Sequence, residues 1–153
     1  NLGIPRAEAK QIIDDYFAQF PGVRNYMDEM IGFCRTHGYI KTLMGRRRYL
    51  PDITSANNTV RAQAERIAIN APMQGSAADI IKVAMVGIHR SLKERRMRSK
   101  LLLQVHDELV FDAFKGESEE LQALVKERME GALSLDVPLV VDMGVGKNWL
   151  EAH

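Results

Sequence analysis

Residues 100–112 read KLLLQVHDELVFD. Two apolar runs, Leu101-Leu102-Leu103 and Leu109-Val110-Phe111, flank a polar tip, His106-Asp107-Glu108. Each run is too short for a helix and suits a strand, so the stretch predicts a β-hairpin. Tight hairpin turns usually hold glycine, whereas this one holds a histidine and two acids. A departure from local turn rules points to function or to strain. Adjacent carboxylates at such a tip have two readings. One is a solvated turn, since Asp is common in turns. The other is a hard-cation site, since Mg²⁺ takes one or two carboxylates plus substrate phosphates. The tripeptide alone favours the first, and the rest of the chain shifts the balance.

Before the hairpin, Thr59 predicts the cap of a helix over residues 60–71. Pro72 then predicts a break or kink, and a long helix follows over residues 74–96 with Ala77, Ile80, Ile81, Ala84, Ile88 and Leu92 as its apolar stripe. Arg66, Asn70 and Gln74 are four apart and share a face across this junction. Singly, each suits a solvated face. Together, beside the small residues Gly75 to Ala78, they suit a nucleic-acid groove, because every base pair presents purine N3 and pyrimidine O2 acceptors in the minor groove.

After the hairpin, Ser118 with Glu119 and Glu120 predicts a helix start, with Leu121, Leu124, Val125, Arg128 and Ala132 on its inner side. Leu135 to Pro138 links to a predicted last strand, Leu139–Val145. Gly144-Val145-Gly146-Lys147 lacks the full spacing of a phosphate-binding loop.

At the N-terminal end, three- and four-residue apolar spacing predicts a helix over Pro5–Phe20, with Ile12, Ile13, Tyr16, Phe17 and Phe20 as its stripe and Pro21-Gly22 as its stop. A second helix, Val23–His37, carries Val23, Met27, Met30, Ile31 and Cys34 on one stripe and ends at Gly38. So short a link makes the two antiparallel neighbours. A small hairpin over residues 39–50 turns at Gly45. Its Arg46-Arg47-Arg48 run is either solvated or a phosphate clamp, since arginine binds phosphate in a bidentate fork.

The 153 residues suffice for one domain with a core, and 46% hydrophobic with 27% charged residues is an ordinary globular composition. A net charge of +1 neither favours nor excludes a polyanionic partner. Basic clusters at residues 46–48 and 93–100 stand against an acidic stretch at 117–130. The single cysteine, Cys34, excludes an internal disulfide and reads as core in a reducing, cytoplasmic setting. No run reaches membrane-spanning length, and no signal peptide is present. The chain starts Asn1-Leu2-Gly3 without an initiator methionine, as a piece cut from a longer protein would. The expected architecture is α+β: a small antiparallel sheet on residues 101–105, 109–113 and 139–145, packed on long helices, with an N-terminal helical pair.

Several motifs in order resemble one family over essentially the whole chain. Gln104-Val105-His106-Asp107-Glu108 is similar to the palm signature of family A DNA polymerases, the bacterial DNA polymerase I type. Ala64-Glu65-Arg66 and Ile69-Asn70-Ala71-Pro72-Met73-Gln74-Gly75-Ser76-Ala77-Ala78-Asp79 resemble the helix preceding it, with Ser76 where many relatives have Thr. Gly45-Arg46-Arg47-Arg48-Tyr49-Leu50-Pro51-Asp52 resembles the hairpin joining fingers to palm, and Leu135-Asp136-Val137-Pro138-Leu139 through Trp149 to His153 resembles the family's C-terminus.

The resemblance implies DNA-directed DNA polymerisation with Mg²⁺, template–primer DNA and deoxynucleoside triphosphates. It implies that Asp107 is a metal-binding catalytic aspartate, Glu108 an auxiliary carboxylate, and His106 a neighbour of the primer terminus. It places Arg66, Asn70 and Gln74 along the template–primer minor groove. Residues 1–38 are then the rear part of the fingers and 39–153 much of the palm. The family's first catalytic aspartate and its triphosphate-gripping fingers helix have no counterpart here. The chain is therefore expected to be a fragment, inactive alone and prone to self-association. Asp79, Asp112 and Asp142 are weak substitutes for the missing carboxylate. A stand-alone, non-specific nucleic-acid-binding module using Arg46–Arg48 and the Arg66 line is the alternative. A metal-dependent phosphodiesterase ranks last, for want of ligands.

Overall fold

The computed structural model describes residues 3–152. Asn1 and Leu2, part of the expected cut start, and His153, the end of the expected C-terminal motif, lie outside the described residues. The chain divides after Gly75 into two compact units.

In the first unit, α1 (Arg6–Gln19) and α2 (Pro21–His37) are separated by Phe20 alone. Pro21, expected only to stop α1, opens α2 instead, in the first turn where a missing N–H costs nothing. Gly38 ends α2 in the left-handed region at φ 75°, its N–H donating to the Cys34 carbonyl at 2.8 Å. The expected apolar stripes are only partly buried. On α2 Cys34 alone is fully enclosed, and on α1 nothing is: Ile12, Ile13 and Tyr16 are exposed, as is Phe20 just past its end.

Strands β1 (Tyr39–Lys41) and β2 (Arg47–Tyr49) pair antiparallel, Tyr39 with Tyr49, Ile40 with Arg48 and Lys41 with Arg47. Gly45 makes the turn at φ 83°, where a side chain would be strained. A 3₁₀ turn over Pro51–Thr54 leads to α3 (Asn58–Glu94). The cap is Asn57 and not the expected Thr59: its Oδ1 accepts from the N–H groups of Thr59 at 2.9 Å and Val60 at 3.4 Å.

Nor does Pro72 break the helix, since α3 runs through it as one element. Proline forfeits one backbone hydrogen bond, but apolar residues bury α3 on both sides of it, and packing outweighs the local loss. Ala64, Ala68 and Ala71 of α3 close on Cys34, Ile40, Leu50 and Ile53 to form the first core.

In the second unit, Ala84, Ile88 and Leu92 of α3 pack on Leu121, Leu124 and Val125 of α4 (Ser118–Glu130). The helix ends in a Schellman arrangement: Met97 N–H donates to the Leu92 carbonyl at 2.9 Å and Arg96 N–H to that of Lys93 at 3.2 Å. Arg96 takes the left-handed position at φ 54°, and Met97 packs into the same core as Leu92. The expected hairpin is present as β3 (Lys100–Val105) and β4 (Glu108–Asp112), with Leu109 and Phe111 against that core. Leu102 is an extra residue between the pairs Leu101–Phe111 and Leu103–Val110, a β-bulge.

Glu117 ties the base of this hairpin. Its carboxylate accepts from the Arg98 N–H at 2.9 Å, the Ser99 N–H at 2.9 Å and the Ser99 hydroxyl at 2.7 Å. The Ser99 oxygen in turn accepts from the Phe114 N–H at 3.0 Å, and the Arg98 guanidinium lies 3.8 Å over the Phe114 ring.

The fold is α+β, with two two-stranded antiparallel sheets among the described residues. The expected third strand is not formed: residues 139–145 are irregular. The backbone there finds a side chain in place of a ladder, Val141 N–H donating to Glu130 Oε1 at 3.1 Å. A final short helix, α5 (Trp149–Ala152), is capped by Asn148, whose Oδ1 accepts from Glu151 N–H at 3.1 Å.

Candidate functional site

The hairpin tip is a two-residue turn. Val105 pairs with Glu108, leaving His106 and Asp107 as the central residues. His106 sits at φ 53° and Asp107 does not share the sign. Positive φ at the first central position only is the pattern of a II′ turn, which glycine normally serves. The Gln104 side-chain amide holds the turn in that form, Nε2 donating to the His106 carbonyl at 2.7 Å. His106 and Asp107 are exposed, and Glu108 is half-buried.

The two carboxylates at the tip offer only oxygen donors, which fit a hard divalent cation better than zinc. Asp107 and Glu108 would hold it. Among the described residues no cluster of three His, Cys, Asp or Glu side chains is placed to bind a metal, so Asp79, Asp112 and Asp142 do not complete a ligand set with this pair. In the sequence Gln104 stands out only as part of a motif. The signal for its part was a polar side chain inside a strand two residues before a turn that lacks glycine.

In the first unit, Arg66, Asn70 and Gln74 are all exposed along α3, and the hydrogen bonds among the described residues use none of the three side chains. Tyr26, in contrast, is spent on structure: its hydroxyl donates to the Ile69 carbonyl at 3.0 Å, and burial pushes its pKa up.

The three arginines of the small hairpin have three environments. Arg46 Nη2 donates to the Gly75 carbonyl at 3.2 Å, which fastens the hairpin to α3. Arg47 lies over the Tyr39 ring, 4.8 Å from its centroid. Arg48 lines a hollow of about 170 Å³ together with Thr42, Arg46, Gln74 and Gly75. That hollow brings one member of the polar line and two of the three arginines together. It depends on Gly75, because a Cβ there would stand 2.6 Å from Thr42 Cγ2 and 3.4 Å from Arg46 Nη2. The close approach was foreshadowed by the run of small residues after Gln74, but its partner, Thr42, was not.

Comparison with known proteins places this arrangement. The chain is 53% identical over 152 residues to DNA polymerase I of Streptococcus pneumoniae and 55% identical over 152 residues to that of Geobacillus stearothermophilus. Each match covers 99% of this chain and 17% of the relative, so the chain spans about one-sixth of the length of these proteins. Among solved structures it is similar to the polymerase domain of Pol1 from M. smegmatis in complex with DNA primer-template and dNTP. That match has a TM-score of 0.96 and 51% identity, and covers 99% of this chain and 27% of that one. The model of DNA polymerase family A matches residues 1–151, and with the carboxylate turn and the polar α3 line both in place the chain belongs to that family.

Proposed function

We propose that this chain is the C-terminal part of a DNA-directed DNA polymerase, with residues 1–38 the rear of the fingers and 39–153 a portion of the palm. The observation that carries the reading is the tip of the β3–β4 hairpin. A strained, glycine-free turn pinned by Gln104 presents Asp107 and Glu108 at the end of a ribbon, in a chain of this family. The reaction is attack of a primer 3′-oxygen on the α-phosphorus of a deoxynucleoside triphosphate. The new P–O bond forms as the α–β bond breaks, the hydroxyl proton is lost, and pyrophosphate leaves.

Asp107 and Glu108 would hold Mg²⁺, which when bound supplies Lewis-acid stabilisation of the nucleophile and the leaving group. His106 lies at the primer end. Arg66, Asn70 and Gln74 donate to minor-groove acceptors that every base pair shows, testing pair geometry without reading sequence. Arg48 faces the hollow beside Gln74, while Arg46 holds the hairpin in place. A further carboxylate and the triphosphate grip come from sequence outside this chain, in keeping with its one-sixth share of its relatives. No described helix is long and apolar enough to cross a membrane; the cytoplasmic site of action is part of the proposal and rests on the polymerase reading.

Primer extension tests the reading. The chain alone gives no templated incorporation. The longer polymerase containing it extends a primer, and Asp107→Ala in that protein slows extension on the order of a thousandfold. Extension at the parent rate with Asp107→Ala would overturn the assignment. Mg²⁺ titration of the chain and of its Asp107→Ala variant separates the binding-only alternative. If both show the same negligible affinity and duplex binding persists, the chain is a nucleic-acid-binding module.

A further inference from the structure

The β1–β2 ribbon has two faces, and only one of them serves the hollow. Its register places Ile40 and Arg48 on the side of α3, where Ile40 is buried and both line that hollow. Alternation then places Tyr39, Lys41, Arg47 and Tyr49 on the opposite side. There Tyr39 faces Tyr49 with ring centroids 5.6 Å apart, and Lys41 faces Arg47. The ring row continues onto the last turn of α2. His37 lies 6.0 Å from Tyr39 and stacks on Phe33 at 4.1 Å with the planes 17° apart.

This face is ill-suited to being mere packing. Tyr49 is 67% exposed. Lys41 and Arg47 are directly opposite like charges, an arrangement that destabilises a strand pair. Among the described residues neither forms an ion pair with a carboxylate. Both cations instead hover over Tyr39, at 5.6 and 4.8 Å from its centroid. An anion between them would relieve their repulsion, and a flat ring beside that anion offers a platform for stacking. Phosphate next to a π-face is the chemistry of single-stranded nucleic acid.

We propose that this outer face binds single-stranded DNA, with Lys41 and Arg47 on a phosphate and Tyr49 beneath a base. The choice of DNA rests on the polymerase reading above; the strand bound is then unpaired template.

Fluorescence anisotropy with a labelled short oligothymidylate tests it on the chain itself. Tyr49→Ala weakens binding about tenfold, while Tyr49→Phe stays near the parent value. An abasic oligomer of the same length binds the parent chain as weakly as oligothymidylate binds Tyr49→Ala. Lys41→Gln and Arg47→Gln each flatten the plot of log affinity against log salt by about 0.7. Equal affinity for the abasic and base-bearing oligomers overturns the site without any variant. So does an unchanged affinity in Tyr49→Ala whose circular dichroism matches the parent. Tighter binding of oligouridylate than of oligothymidylate overturns the assignment to DNA. A parent chain that binds oligothymidylate in this way but shows no affinity for a blunt-ended DNA duplex keeps this site and counts against the minor-groove contacts of the polymerase reading. The reverse pattern sinks this site alone.

Discussion

Arg96 and His106 both occupy the left-handed region that glycine prefers, for different reasons. Arg96 is held there by the two hydrogen bonds of the α3 terminus and by Met97 packing near Leu92. Nothing about its side chain requires the position. Arg96→Gly should therefore raise stability by about 1 kcal/mol, read as a higher denaturant midpoint at unchanged slope. His106 is held by the Gln104 amide, and Gln104→Leu should cost about 1 kcal/mol and release the turn. At Gly75 the demand is space. Gly75→Ala places a methyl against the buried Thr42 and should destabilise by roughly 1–2 kcal/mol, despite alanine's better helix propensity. A gain in thermal midpoint on Gly75→Ala would contradict the described contact.

The hairpin of residues 100–112 was legible because two strand-sized apolar runs bounded a polar tip, and the tip is where the ladder stops. Helix α2 and its Gly38 terminus were equally legible, because a glycine after an apolar stripe has one common use. Pro72 misled because a local rule says how much a helix loses at proline, and not what its two flanks gain from packing. Thr59 misled by sitting two residues past a better acceptor: Asn57→Ala should cost about 1 kcal/mol, and Thr59→Ala much less. Residues 139–145 look like a strand by composition, but a strand exists only with a partner, and Glu130 supplies the bond instead.

The knot at Glu117 was invisible, since nothing in the sequence links a loop acid to a serine eighteen residues earlier. The Arg98 backbone N–H first, then the Ser99 hydroxyl, hold the Glu117 carboxylate below its ordinary pKa of 4.5. A lowered folded-state value means the ionised form is favoured by folding. Its contribution is complete above pH 4.5 and lost as pH falls through the folded value. Acid unfolding followed by circular dichroism should show this limb, and Glu117→Gln should flatten it.

Taken whole, the chain shows more large apolar side chains to solvent than its two cores require. Ile12, Ile13 and Tyr16 on α1, Leu102 and Leu103 on β3, and Leu150 on α5 are all exposed. Exposed apolar side chains of this kind favour association. Light scattering should show oligomers growing with concentration, and replacing Ile12, Ile13 and Tyr16 by polar residues should shift the distribution toward monomer. A single species across that range would count against it. The bulge at Leu102 has a consequence of another sort. Deleting that one leucine leaves every other cross-strand partner in β3 and β4 unchanged, since its neighbours already pair with consecutive residues. Such a shortened ribbon would close flush and lose its added twist. The spare residue acts as a shim: it fixes the angle at which the acids are aimed, and an aim set by one insertion can be reset by removing it.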